Sequence, residues 1–210
     1  MSGHRLTGVY AITDAALTPP HRLAAQVEAV LRGGARILQY RDKSTDGERR
    51  LREARALREL CEAHGALLLI NDDIALATAA GAHGVHLGQQ DTALAAAREQ
   101  LGPDAIIGIT CHDSLTLAHT AEAGGADYVA FGALFPSPTK PDAPRASLDL
   151  IREARRTLTV PICAIGGIEA DNAAAVIAAG ANLLAVISGV FAQADPEAAT
   201  RGIQALFPDD

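Results

Sequence analysis

The sequence has few cysteines, and no two of them stand at a metal-binding spacing. Its three cysteines, Cys61, Cys111 and Cys163, lie far apart, form no CxxC motif and are odd in number. This pattern argues against a disulfide framework or a zinc site. It favours free thiols in a reducing compartment.

Long hydrophobic runs are also absent. The sequence has no stretch of about eighteen apolar residues, the length that would predict a membrane-spanning segment. The residues up to Asp14 contain no apolar stretch long enough for a signal peptide or an anchor. We therefore expect a cytoplasmic protein with no membrane partner.

Positive charge is scarce as well. The chain has 18 Lys and Arg residues against 25 Asp and Glu residues, a formal net charge of −7. This balance argues against a general nucleic-acid partner but leaves room for a local basic pocket. No Pro-, Ser- or Gly-rich linker divides the sequence, so we expect one domain over residues 1–210.

The sequence does contain an internal repeat. Four times an Ala-rich, helix-like stretch ends in Gly-Ala and continues as a short apolar strand, where a glycine suits the C-cap of a helix. The four copies begin at Gly33, Gly81, Gly124 and Gly180. Four further apolar strand candidates lie between them, at 8–13, 66–71, 105–110 and 160–167. Such continuous apolar runs are typical of parallel strands buried on both faces.

Helix-like segments fill the gaps between the strands. The stretch 46–63 is rich in good helix formers, and 168–179 is predicted to be a helix before the last strand. A doubly wound open sheet could use the same alternation. However, eight evenly spaced units with paired repetition favour an α/β fold of the single (β/α)8 TIM-barrel type.

In such barrels the chemistry lies on the loops that follow the strands. These positions carry many polar residues and glycines in this sequence, whereas the Gly-Ala helix ends that precede the strands carry few polar side chains. They are Asp14, 39–43, 71–73, 88–91, Thr110, 137–140, 166–167 and 188–189. We expect a ligand site at this end of the barrel.

The segment ILQYRDKS after the second strand is one candidate for phosphate binding. If strand geometry continues through it, Gln39, Arg41 and Lys43 share one side, while Tyr40 and Asp42 point to the other. Two cations at a barrel mouth would suit a di- or polyphosphate. The alternative is a solvated charge run, and the charges alone do not decide between the two.

Two carboxylates are candidates for a Mg²⁺ site. Asp72 follows the third strand and Asp91 follows the fourth, and adjacent strand ends bring such residues together. The alternative role for each is that of a helix N-cap, for which Asp73 is the better candidate on the third helix. Asn71, at a strand end, could hold a heterocycle or a phosphate oxygen.

Two later segments are further candidates for anion binding. The proline-rich stretch 131–145 predicts a loop whose Ser137, Thr139 and Lys140 can close on an anion, or else a plain connection. In AIGGI, a Gly-Gly turn and a helix from about Ile168 predict a phosphate site completed by 188–189. The alternative is an ordinary strand–helix turn. His86 lies in an apolar strand, and we interpret it as a hydrogen-bonded core or mouth histidine.

Taken together, these motifs resemble the thiamine phosphate synthase family. The match covers nearly the whole chain in order, through YAITD, ILQYRDK, LLINDDIALA, GVHLGQQD, ADYVAFGALFPSPTK, PICAIGGI and AVISG. The resemblance implies a Mg²⁺-assisted transferase that joins hydroxymethylpyrimidine diphosphate to hydroxyethylthiazole phosphate, or to its carboxylated form. Its course would be dissociative, with diphosphate leaving before the thiazole nitrogen attacks.

The resemblance also implies roles for individual residues. The pyrimidine diphosphate would be bound by Gln39, Tyr40, Arg41, Asp42, Lys43, Asn71, Thr110 and Lys140. The thiazole phosphate would be bound by Ser137, Pro138, Thr139, Gly167, Ile187 and Ser188. Asp72 and Asp91 would hold Mg²⁺, and Arg41, Lys43 and Lys140 would stabilise the charge of the leaving group as catalytic residues.

Three positions depart from the commonest family pattern. Thr110 stands where serine is frequent, Ser137 where threonine is usual, and Ala133 where proline is common. Ala133 also separates the chain from a related thiazole tautomerase, which carries a histidine there. Two further hypotheses are a sugar-phosphate isomerase and a non-catalytic barrel that binds thiamine phosphate. A homo-oligomer is compatible with the sequence.

Overall fold

The computed structural model describes residues 6–89, 93–136 and 145–208. Within them, eight parallel strands pair in chain order and the last pairs with the first, so that the sheet closes into a barrel. The strands are β1 (Gly8–Ile12), β2 (Ile37–Tyr40), β3 (Leu67–Asn71), β4 (Gly84–Leu87), β5 (Ile106–His112), β6 (Tyr128–Phe131), β7 (Ile162–Ile165) and β8 (Leu183–Val186). The (β/α)8 prediction and all eight predicted strands are confirmed.

Helices follow the strands and cover the outside of the barrel. They are α1 (Pro20–Arg32), α2 (Gly47–Ala63), α3 (Ile74–Ala80), α4 (Leu94–Leu101), α5 (Leu115–Ala123), α6 (Leu148–Thr157), α7 (Ala173–Ala179), α8 (Ser188–Phe191) and α9 (Pro196–Gln204). The predicted helix 46–63 is confirmed, with Asp46 as its cap: the Asp46 carboxylate accepts a hydrogen bond from the Arg49 N–H. None of the described helices is both long and apolar enough to cross a membrane.

The predicted start of the helix before β8 is wrong. Helix α7 begins at Ala173, five residues after Ile168, because the Asn172 side chain closes a turn. Asn172 Oδ1 accepts from the Glu169 N–H at 3.0 Å, and Asn172 Nδ2 donates to the Gly167 carbonyl at 2.9 Å. The N-terminus of α7 therefore does not follow Gly167 directly.

The glycines of the repeat end the helices as predicted. Gly81 and Gly180 adopt left-handed backbone conformations, with φ of 65° and 114°, at the C-caps of α3 and α7. In the two Gly-Gly copies the second glycine has the positive φ. This conformation carries no Cβ penalty for glycine, so the chain can turn directly into the next strand.

The apolar core has two layers, which explains why the strands do not alternate between apolar and polar residues. One layer lies between strands and helices, and the other fills the barrel interior, where Tyr10 and Tyr128 are the largest side chains. Their rings meet edge to face, with centroids 6.0 Å apart and planes at 81°. All three cysteines are free, as predicted, and all three are buried.

Candidate active site

A central cavity of about 330 Å³ lies at the carboxyl ends of the strands. The predicted site residues that line it are Gln39, Arg41, Asn71, Thr110, Gly167, Ile187 and Ser188. A side cavity of about 550 Å³ is lined by Asp42, Lys43, Asn71 and Asp72, among others. Asn71 borders both, so the two cavities are neighbours. Eight strands converge at this end, and residues distant in the sequence thereby share one site.

Arg41 lines the central cavity, and a hydrogen bond holds its backbone in place. Its N–H donates to Thr13 Oγ1 at 2.8 Å, and Thr13 is only 2% exposed. Arg41 Nη1 lies 4.0 Å from Asp14 Oδ2, and both side chains are partly exposed. Gln39, two residues earlier, points into the barrel and donates from Nε2 to the Tyr10 hydroxyl at 2.6 Å.

Tyr40 and Asp42 point to the other side, toward α2. The Tyr40 hydroxyl donates to Glu53 at 2.6 Å, and Asp42 forms an ion pair with Arg49 at 2.9 Å. Burial acts to raise the pKa of Asp42, but hydrogen bonds from Ser44 and Arg49 outweigh it and lower that pKa. The predicted alternation therefore holds from Gln39 to Asp42.

Lys43 does not continue this alternation into the central cavity. Strand β2 ends at Tyr40, and Lys43 is exposed and lines the side cavity instead. Its neighbours there include Asp72 and Arg50. Arg41 lines the central cavity and Lys43 the side cavity, and both also line a third cavity of about 280 Å³ between β2 and α2.

The carboxylates after β3 have separate roles. Asp73 is the N-cap of α3, accepting from the Leu76 N–H at 2.9 Å and pairing with Arg50 at 3.0 Å, so the N-cap alternative for Asp72 is wrong. Asp72 has a left-handed φ of 62°, and its Oδ2 accepts from Asn71 Nδ2 at 2.5 Å.

The other predicted metal ligand and the predicted anion-binding residues of the loop 131–145 lie outside the described residues. This applies to Asp91, Ser137, Pro138, Thr139 and Lys140. The N-cap of α4 is Ala93.

Gly166 and Gly167 accommodate the segment that follows β6. A Cβ on Gly166 would lie 2.6 Å from the Ala133 Cα, and one on Gly167 would lie 2.5 Å from the Pro136 carbonyl oxygen. The Phe135 N–H donates to the Gly166 carbonyl at 3.0 Å. The pair of glycines thus serves this packing, a function that the sequence did not indicate.

The helix beside these glycines at the cavity is α8, not α7. Ile187 and Ser188 line the central cavity at the end of β8, and α8 begins at Ser188. A Cβ on Gly189 would lie 2.3 Å from the Ile168 carbonyl oxygen, so the first turn of α8 packs tightly against the residue after Gly167. Residues 188–189 thus lie beside the Gly-Gly turn, and the phosphate site predicted there stays a prediction.

A hydrogen-bonded set of buried and half-buried polar groups forms the floor of the central cavity. His86 Nδ1 is 2.8 Å from the Tyr128 hydroxyl, and His86 Nε2 is 2.8 Å from Thr110 Oγ1. The Tyr128 hydroxyl is 2.9 Å from that of Tyr10, which also accepts from Gln39. The interpretation of His86 as a hydrogen-bonded histidine is confirmed. The two tyrosines were missed, although a buried tyrosine usually needs a partner for its hydroxyl.

The fold and this polar cavity define an enzyme of the (β/α)8-barrel class. Residues 9–190 match the family model described as thiamine monophosphate synthase. The thiamine-phosphate synthase of Thioalkalivibrio sulfidiphilus is 66% identical over 206 residues, which cover 98% of both chains. That of Halorhodospira halophila is 54% identical over 203 residues, covering 97% of this chain and 95% of the relative.

A solved structure agrees with these relatives. The thiamine phosphate pyrophosphorylase of Pyrococcus furiosus superposes with a TM-score of 0.88 at 34% identity, covering 97% of this chain and 96% of that one. The chain belongs to the thiamine monophosphate synthase family, and it is a transferase of thiamine biosynthesis. The resemblance stated from its motifs is confirmed.

Proposed function

We propose that this enzyme condenses hydroxymethylpyrimidine diphosphate with hydroxyethylthiazole phosphate, or its carboxylated form, to give thiamine phosphate and diphosphate. The observation that carries the proposal is the anchored Arg41 in a central cavity that adjoins a side cavity containing Lys43 and Asp72. A cavity that can hold a ring adjoins a cavity whose cation and carboxylates suit a diphosphate with Mg²⁺, and the pyrimidine diphosphate has both parts.

The pyrimidine diphosphate occupies both cavities in this proposal. Gln39, Asn71 and Thr110 surround the ring and its reacting methylene carbon. Arg41, Lys43 and Lys140 bind the diphosphate. A guanidinium offers a planar fork for phosphate oxygens, and an ammonium offers a compact point charge. Tyr40 and Asp42 contribute by fixing the end of β2 against α2 through Glu53 and Arg49.

Mg²⁺ fits the donor atoms on the side cavity. Asp72 presents a carboxylate beside the Asn71 amide, and Mg²⁺ is commonly bound by one or two carboxylates together with substrate phosphates. Asp72 and Asp91 would hold the ion. When bound, it would neutralise negative charge that develops on the departing diphosphate.

In this proposal the thiazole phosphate binds on the side of the cavity formed by β7 and β8. Gly167, Ile187 and Ser188 border the cavity there. We propose that Ser137, Pro138 and Thr139 also bind this substrate. Gly167 packs against Pro136, so a ligand at this position would touch the start of the segment that carries those three residues.

The proposed reaction needs no protein nucleophile. The carbon–oxygen bond breaks first and diphosphate leaves with the electron pair, which creates a methylene cation stabilised by the ring amino group. The thiazole nitrogen then forms the new carbon–nitrogen bond. The protein's tasks are orientation, charge stabilisation and exclusion of water. We further propose that residues 1–210 form one catalytic domain that works in the cytoplasm and can form a homo-oligomer.

The first test is diphosphate release by the purified protein supplied with both substrates and Mg²⁺. We expect release to require both substrates and the metal, with thiamine phosphate appearing in equal amount. Single-substrate reactions and a reaction with EDTA are the controls. No release with any divalent metal, from protein shown to be folded, would overturn the proposal in favour of a thiazole tautomerase or a non-catalytic binder.

A second test concerns the metal. Asp72→Asn keeps the size of the side chain, and asparagine tolerates the left-handed backbone at this position. We expect the Mg²⁺ concentration for half-maximal rate to rise at least about tenfold, since the loss of even an outer-shell partner of a metal lowers its affinity by about that factor. The same increase is expected for Asp91→Ala. The measurement is a Mg²⁺ titration of the initial rate at saturating substrates.

Asp195→Asn is the matched control for this test. Asp195 caps α9 outside the central and side cavities, and asparagine is an equally good cap. Its Mg²⁺ titration should coincide with that of the unmodified enzyme. An unchanged titration for Asp72→Asn, or an equal increase for Asp195→Asn, would remove Asp72 from the metal site.

A further inference from the structure

The hydrogen bonds under the central cavity form one continuous relay that crosses the barrel interior. It joins Gln39 of β2, Tyr10 of β1, Tyr128 of β6, His86 of β4 and Thr110 of β5, with donor–acceptor distances of 2.6, 2.9, 2.8 and 2.8 Å in that order. Thr110, at its last position, is half-buried and lines the cavity, whereas both tyrosines are fully buried.

The direction of donation along this relay follows from its first link. The Gln39 amide donates to the Tyr10 oxygen. Among the described residues, the Tyr10 hydroxyl bonds only to Gln39 and Tyr128, so its single hydrogen goes to Tyr128. Tyr128 in turn donates its own hydrogen to His86 Nδ1. With the Gln39 amide in this orientation, the reverse direction would leave the Tyr10 hydrogen without an acceptor among the described residues.

This direction fixes the tautomer of His86. An imidazole that accepts at Nδ1 and is neutral carries its proton on Nε2. His86 Nε2–H then donates to Thr110 Oγ1, 2.8 Å away. Because one lone pair of Oγ1 is occupied by this bond, the hydroxyl hydrogen of Thr110 points away from His86.

The surroundings keep the relay protonated and rigid. Burial raises the pKa of Tyr10 and of Tyr128 well above the usual value, so both hydroxyls retain their hydrogens. The His86 ring stacks on Tyr128 with centroids 5.6 Å apart, and Tyr10 packs edge-on against the same ring. Gly108 leaves room for the Tyr128 ring, because a Cβ there would lie 1.9 Å from Cζ.

We infer that Tyr128 and His86 are positioning residues that hold the Thr110 hydroxyl as a hydrogen-bond donor to the pyrimidine diphosphate. The inference rests on the proposed function, which places that substrate against Thr110. A threonine hydroxyl can rotate between donor directions, and the bond from His86 excludes the direction toward His86 before the substrate arrives. Preorganised donors of this kind need no reorganisation during the reaction.

The tautomer of His86 gives a test that needs no substrate. The measurement is the ¹⁵N spectrum of the imidazole nitrogens in the full-length protein at neutral pH, with the His86 signals assigned by their loss in His86→Gln. We expect Nδ1 to be unprotonated and Nε2 protonated. A proton on Nδ1, in either the neutral or the charged ring, would overturn the inference.

A double-mutant cycle gives the kinetic test. Tyr128→Phe removes the donor to His86, and we expect kcat/KM for the pyrimidine diphosphate to fall about tenfold, the loss of one oriented neutral hydrogen bond. The KM for the thiazole phosphate should stay unchanged. When Tyr128→Phe is added to the Thr110→Ala variant, kcat/KM for the pyrimidine diphosphate should fall by less than about twofold, because the hydroxyl to be oriented is already absent.

Thr110→Ser is the matched background for this cycle. Because Thr110→Ser keeps the hydroxyl, adding Tyr128→Phe to this variant should again lower kcat/KM for the pyrimidine diphosphate about tenfold. An undiminished cost in the Thr110→Ala background would assign Tyr128 a purely structural role and overturn the inference. If the unmodified enzyme makes no thiamine phosphate, the proposed function fails, and the ¹⁵N spectrum then decides whether the relay itself exists. If Tyr128→Phe does not fold, the same spectrum of the unmodified protein decides.

Discussion

Replacing Arg41 by alanine is expected to lower kcat/KM for the pyrimidine diphosphate about a hundred- to a thousand-fold, the usual cost of removing one preorganised charge-stabilising donor. The side chain lines the central cavity, and its backbone N–H is held by the buried Thr13 hydroxyl. Asp14, 4.0 Å away, limits where the guanidinium can rest. Arg41 can therefore bind a developing diphosphate charge with little rearrangement.

The shape of the guanidinium can be separated from its charge. Arg41→Lys keeps the charge but loses the planar fork, and the two groups are not interchangeable at a site that binds phosphate oxygens. We expect this variant to recover only part of the loss. The measurement is the initial rate over a range of pyrimidine diphosphate concentrations at saturating thiazole phosphate.

Arg52→Ala is the control for the loss of an arginine. The side chain lies on α2, is 70% exposed and approaches only Glu48 among the described ion pairs, at 3.9 Å. Exposed pairs of this kind contribute little, so its kcat/KM should equal that of the unmodified enzyme. A loss of less than tenfold for Arg41→Ala, or an equal loss for Arg52→Ala, would contradict the role given to Arg41.

The barrel was predictable because its strands are continuous apolar runs and its repeat marks the helix ends. Gly81 and Gly180 stand at the ends of α3 and α7 as predicted. The start of α7 was not predictable in this way. Residues such as Ile168 and Ala173 fit a helix equally well, and the turn before Ala173 depends on the Asn172 side chain and its bond to Gly167.

The site was predictable where it depends on local geometry. The period of two along β2 places Gln39 and Arg41 on one side and Tyr40 on the other. The same period misplaced Lys43, because the alternation stops at Asp42, two residues after β2 ends, and a pattern does not reveal where it stops.

The relay was not predictable from one sequence. Tyr10 and Tyr128 are 118 positions apart, and their contact depends on the closed register of β1 and β6 across the interior. Within an apolar run, a tyrosine looks like any other core residue. His86 was distinguished only because its ring is polar, and its partners became evident only in three dimensions.

Gly108→Ala is expected to lower the free energy of unfolding by about 3 kcal/mol, the upper end of the range for overpacking a core. The added Cβ would lie 1.9 Å from Tyr128 Cζ and 2.3 Å from both Cε1 and the hydroxyl oxygen. The ring cannot move aside easily, because it is completely buried between Tyr10 and His86. Urea unfolding followed by circular dichroism measures the change.

Gly202→Ala is the same chemical change, but we expect it to raise the free energy of unfolding. Gly202 is exposed on α9, and a Cβ there would have no neighbour within 4 Å. Alanine should stabilise this helix by about 0.5–1 kcal/mol. A Gly108→Ala protein as stable as the unmodified one would mean that the Tyr128 ring can shift, and so that the relay to His86 is not rigid. Because the added Cβ would displace the Tyr128 ring, we expect Gly108→Ala to reduce both the stability and kcat/KM. Tyr128→Phe leaves the ring in place and is expected to lower kcat/KM through Thr110.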